Sequence, residues 1–126
     1  MIRLAYSPGA LRAAARADRT MFGIHAAALR RGVIPVVSAM SLLDARSNTQ
    51  GAPRLDWLLA GVDIISLDEG AAKRIAYRRQ EDRAPLGLLA AEDLLDDTSD
   101  ERAIVVAPSE TKSLRLGPGV GRLVLP

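Results

Sequence analysis

At 126 residues, with 48% hydrophobic and 25% charged residues, the chain has the size and composition of one globular domain spanning residues 1–126. It contains no cysteine, which excludes structural disulfides, thiolate metal centres and a cysteine nucleophile. Formal net charge is +2, with 15 of the 17 basic residues Arg, and no apolar run approaches the ~20 residues that span a bilayer; the expectation is a soluble, unsecreted, cytoplasmic protein without a membrane partner.

Taken in chain order, short β-branched runs alternate with longer helical ones. This pattern predicts an α/β three-layer sandwich, with a central, mostly parallel sheet of four to five strands flanked by helices. Residues 2–6 read as the first strand. Ser7 then suits a helix N-cap, with Pro8 at the first helical position, where a missing N–H costs nothing. Asp18 is a second N-cap, opening a helix that carries Met21, Ile24, His25, Ala28 and Leu29 on one face and stops at Gly32. Residues 33–37 form the second strand, and residues 39–46 a helix expected to hold Met40, Leu42 and Leu43 against the core.

After a loop over residues 47–51, Pro53 opens a short helix through Leu59, followed by a strand over 62–67. Asp68 and Glu69 begin a helix whose last turn holds Arg78 and Arg79, with acids and bases placed to suit the helix dipole. Its buried stripe is expected at Ala72, Ile75 and Ala76. Residues 80–84 read as loop and 85–95 as a helix apolar on nearly every side, hence substantially buried. A polar turn over 96–101 leads to a buried strand over 103–106, a helical turn over 110–114, a Gly-rich turn over 117–122 and a terminal strand over 123–125.

In an open parallel sheet, ligands bind outside the carboxyl ends of the strands. Here those ends are neutral: Tyr6-Ser7-Pro8-Gly9, Ser38-Ala39 and Ala107-Pro108-Ser109. The order of elements, together with the phrases Tyr6-Ser7-Pro8-Gly9-Ala10-Leu11, Ala26-Ala27-Ala28-Leu29-Arg30-Arg31-Gly32, Ser38-Ala39-Met40-Ser41-Leu42-Leu43-Asp44 and Leu58-Leu59-Ala60-Gly61-Val62-Asp63-Ile64-Ile65-Ser66-Leu67-Asp68-Glu69, resembles the PIN domain of bacterial toxin-antitoxin ribonucleases. The resemblance implies three or four carboxylates holding Mg²⁺ or Mn²⁺, since hard cations need oxygen ligands. Carried over residue by residue, the acid positions fall at Ser7, Asp44, Gly87 and Pro108, and only Asp44 answers. Glu92 and Asp93, a turn beyond Gly87, read as the exposed edge of their helix.

The remaining candidates have plain alternatives. Asp44 reads as a solvated or Arg-paired acid, or as the relic of a metal cluster. Ser7 has no base placed to activate it. His25, the only histidine, reads as a packed or hydrogen-bonded core residue, and the tail around residues 117–122 lacks the Lys-Ser/Thr of a phosphate loop. Arg12 and Arg16, and Arg74 and Arg78, could stripe two helices for phosphate contacts, but salt-bridged, solvated faces are the simpler reading. Trp57, the only tryptophan, reads either as core packing or as an anchor for an oligomer or partner. The expected function is a catalytically degenerate PIN-like domain acting as a binding or regulatory module, through a protein partner or as a homodimer, without a cofactor. The alternatives are a Mg²⁺- or Mn²⁺-dependent ribonuclease with a divergent acidic site, in which Asp44, Glu92 and Asp93 would converge, and RNA or DNA binding without cleavage.

Overall fold

The computed structural model describes residues 2–47, 52–95, 102–108 and 120–125. In chain order the elements are β1 (Ile2–Tyr6), α1 (Pro8–Ala15), α2 (Arg19–Arg30), β2 (Val36–Ser38), α3 (Ala39–Ser47), α4 (Pro53–Leu59), β3 (Asp63–Ile65), α5 (Glu69–Asp82), α6 (Leu86–Asp93), β4 (Arg102–Pro108) and β5 (Val120–Leu125). The strands form one sheet in the order β3-β2-β1-β4-β5, and every neighbouring pair is parallel.

Alternation along the strands divides the core. Leu4, Tyr6, Val37 and Val106 face α1, α2 and α4, packing with Leu11, Met21, Leu55 and Leu58. Ala5, Val36, Val105 and Ala107 point to the other face, where Leu94 and Leu95 at the end of α6 cover them. The small Ala side chains on that face let α6 lie close to β1 and β2. The molecule is thus a three-layer α/β sandwich. Progression along the sheet reverses between β1 and β4, which pair from Ile2 opposite Arg102 to Tyr6 opposite Val106. The crevice beyond their carboxyl ends is therefore the topological place for a ligand.

Local chemistry sets the helix ends. Ser7 Oγ accepts from the Ala10 amide at 3.2 Å, Asp18 Oδ1 from Met21 at 2.9 Å, and Asp68 Oδ1 from Ala71 at 2.7 Å. The end of α2 is a Schellman turn: Gly32 takes φ +73°, its amide donates to Leu29 O, and the Val33 amide donates to Ala28 O. That turn occupies Val33, and β2 begins only at Val36, later than its β-branched run suggests.

Other elements shift for comparable reasons. The strand expected over 62–67 shortens to Asp63–Ile65, while α5 continues through residues 80–82, where Asp82 pairs with Arg78 one turn back. α3 buries Ser41 and Ala45 fully; of the expected Met40, Leu42 and Leu43, the first two pack partly buried against the core, while Leu43 is 63% exposed. Small residues on that face let α3 pack closely against α1 and α6. On α5 only Ile75 of the expected stripe is buried. β5 begins at Val120, so residues 120–122 of the expected Gly-rich turn are strand. The features expected over residues 48–51, 96–101, 110–114 and 117–119 lie outside the described residues.

Candidate functional site

The crevice between β1 and β4 brings together the four positions singled out by the resemblance. Ser7 follows β1 directly, its amide donating to Val106 O across the strand ends at 3.1 Å. Its hydroxyl is buried and committed to capping α1. Beside it, a Cβ on Gly9 would stand 2.5 Å from the ring of Pro108 at the end of β4. On the opposite wall, a Cβ on Gly87 would stand 2.5 Å from Pro8 Cγ, 2.7 Å from Asp44 Oδ2 and 2.9 Å from Asp44 Cβ. These contacts form one chain, Pro108 on Gly9, then Pro8 on Gly87, then Gly87 on Asp44.

Ser41 extends this packing by donating to the Gly87 carbonyl at 2.7 Å, which ties α3 to the start of α6. Prolines and glycines thus fill, at van der Waals contact, the volume that carboxylates would need. Asp44, the one acid, keeps its side chain partly exposed and faces the Arg12 guanidinium at 3.9 Å. A shallow cavity of about 310 Å³ opens next to it, between Leu43 on α3 and Pro85 and Leu86 before Gly87, with Arg79 at its side. Arg79 is itself engaged, donating to the Ala84 carbonyl.

A divalent hard cation takes six or more oxygen ligands and is usually held by more than one carboxylate. Asp44 alone, with a guanidinium beside it and glycine packed against it, does not fit that requirement. Among the described residues no group of three or more His, Cys, Asp or Glu side chains is arranged to hold a metal ion.

Glu92 and Asp93 lie elsewhere in the fold from what the sequence suggested. They are 4% and 8% exposed, not the open edge of α6. Arg74 grips Asp93 through both oxygens, Nε to Oδ1 at 2.9 Å and Nη2 to Oδ2 at 3.1 Å. Arg78 donates to Glu92 Oε2 at 2.5 Å and reaches Asp82 at 3.5 Å. The acids are buried because α5 lies over α6 and supplies the counter-charges. Arg74 and Arg78 are accordingly the ion-paired helix face of the plainer reading. Arg12 pairs with Asp44, and Arg16 caps the carboxyl end of α1.

The second region of interest surrounds Trp57. Its ring is 66% exposed, so ordinary core packing does not describe it. One side rests on Phe22, with centroids 5.9 Å apart and planes tilted by 46°; the His25 ring meets it edge-on at 6.3 Å. His25 is buried, and its Nδ1 shares a 2.9 Å hydrogen bond with the Tyr6 hydroxyl, which settles it as a core histidine. Burial lowers the His25 pKa and pushes the Tyr6 phenol up.

Phe22 and Arg54 complete a groove of about 410 Å³ beside Trp57, and sequence reasoning overlooked both. The signal was available: Arg54 stands three residues before Trp57, and Phe22, the only phenylalanine, three before His25. No family model matches this chain, and no curated protein matches it either.

Proposed function

We propose that this chain is a PIN-like domain with a degenerate acidic site, acting in the cytoplasm as a non-enzymatic binding or regulatory module toward a protein partner or a second copy of itself. The observation that carries this reading is the packing of Pro8 and Asp44 onto Gly87, matched by Pro108 on Gly9. A nuclease of the family type needs several convergent carboxylates, where this chain has Asp44 alone beside Ser7, Gly87 and Pro108.

The ribonuclease alternative asks Asp44, Glu92 and Asp93 to regroup. The burial of Glu92 and Asp93 under Arg78 and Arg74 counts against it, because carboxylates already neutralised by arginine are poor ligands for a further cation. Those same pairings weigh against a phosphate-binding stripe on α5. The test is an RNA cleavage assay in Mg²⁺ and in Mn²⁺, with Asp44→Ala run in parallel. The expected result is no cleavage by wild type above that of the variant; cleavage that the variant loses would overturn the proposal.

A further inference from the structure

Resting on the reading of the chain as a binding module, we infer that the groove between α2 and α4 is a docking site for an acidic amphipathic helix of a partner protein. Phe22, Arg54 and Trp57 line it, and Leu29 lies on the same helix as Phe22. A Cβ on Gly61 would stand 3.2 Å from His25 Nε2 and 3.6 Å from Leu29 Cδ1, so the absence of a side chain there keeps the floor low between the two ends. Leu29 is 41% exposed. Phe22 and Leu29 are seven residues apart on one helix, roughly 10 Å along the axis, which matches anchors one heptad apart on a docked helix.

The floor is firm, because His25 beneath Trp57 is buried and hydrogen-bonded to Tyr6 on β1. Phe22 and Trp57 meet at a 46° tilt and present no parallel pair of faces between which a flat base could stack. An exposed aromatic anchor in a mainly apolar groove is the usual composition of a binding hot spot.

Charge selects the occupant. Arg19 stands three residues before Phe22 and Arg54 three before Trp57, while Arg30 and Arg31 close the carboxyl end of α2. All four are exposed, and none has an ion-pair partner among the described residues. The one acid of α4, Asp56, is already paired with Arg46. Arg54 lines the groove and Arg19 lies one turn from Phe22, so the charges beside the apolar floor are cationic. A second copy docked on this face would bring arginines against arginines, whereas a helix with acidic flanks and apolar anchors meets complementary charge.

The test is selection of displayed helical peptides on the full chain, followed by synthesis of the enriched peptides with a fluorescent label and titration of each with wild type and variants, read by fluorescence anisotropy. Enrichment of acidic sequences with apolar residues at i, i+3 or i+4 and i+7 is expected, with affinity falling by at least about tenfold in Trp57→Ala and in Arg54→Glu. Arg54 lies in the first turn of α4, where an acid suits the helix dipole, so that variant keeps its fold, as a circular dichroism melt would verify. Enrichment without acidic excess, no enrichment, or binding that survives both variants overturns the inference. So does a Trp57-dependent dimer in sedimentation, or Trp57 quenching by single-stranded RNA in place of peptide. None of these readouts involves metal or cleavage, so failure here is distinguishable from failure of the degenerate-site reading.

Discussion

The α5–α6 pair and the α2–α4 pair use the same residue types in opposite ways. Between α5 and α6 the charges lie inside: Glu92 and Asp93 are buried, and Arg78 and Arg74 hold them, while Ile75 is the only buried residue of α5. Between α2 and α4 the arrangement reverses, with Trp57 outside and arginines exposed around it. The difference separates arginines spent on holding the fold from those left to meet another molecule. It also explains why a stripe of arginine on a helix says little until its counter-charges are known.

The comparison breaks most visibly at Arg78. Arg78→Met removes the guanidinium that pairs with the buried Glu92 carboxylate and with Asp82, and denaturant unfolding should show a loss of roughly 3 to 5 kcal/mol. Much of that loss should return in the double variant Arg78→Met with Glu92→Met, since the buried charge goes together with its counter-charge. A loss within the noise would mean that α5 is held by something other than its ion pairs. Next in size is Gly87→Asp, which places an acid where a nuclease of the resembling family would carry one. Its side chain would press on Pro8 and Asp44, so a destabilisation of about 1 to 3 kcal/mol is expected, with no gain of metal-dependent cleavage.

On the other side of the molecule, Trp57→Ala should cost about 1 kcal/mol or less, reflecting only its ring contacts with Phe22 and His25. A larger loss would make Trp57 a structural residue after all. The smallest effect is a pH slope. Burial favours neutral His25, so below the ordinary value of 6.5 the unfolded chain binds the proton more readily than the folded one. Stability from this ring is therefore complete above about pH 6.5 and declines as pH falls below it. At the alkaline end the buried Tyr6 phenol resists ionisation in the fold, so stability should decline again above the ordinary phenol value of 10. Melting temperatures of wild type and His25→Gln across pH 5 to 8 would check the acid limb, which the variant should flatten.

Much of the fold was legible because it depends on neighbours in sequence. The caps at Ser7 and Asp18, the helix start at Asp68 and Glu69 and the stop at Gly32 are decided within a few residues, and all stand where the pattern placed them. The parallel sheet follows from strands alternating with helices. What escaped is long-range. Nothing local to Glu92 or Asp93 announces burial, because the neutralising arginines lie 14 and 19 residues earlier on another helix. Ser41 and Ala45 face inward on α3 because α1 and α6 approach closely, a constraint that the larger Leu42 and Leu43 conceal. The crevice positions Ser7, Asp44, Gly87 and Pro108 were named from sequence, but their filling by Pro8 and Pro108 requires knowing which glycine each proline meets. The groove at Trp57 needed Phe22 from one helix and Arg54 from another.

Whether the crevice binds a metal is tested by calorimetric titration of Mn²⁺ into the purified chain and into Asp44→Ala. Indistinguishable, non-saturating heats are expected for the two proteins. A saturating isotherm with the wild type that disappears in Asp44→Ala would contradict the degenerate-site reading.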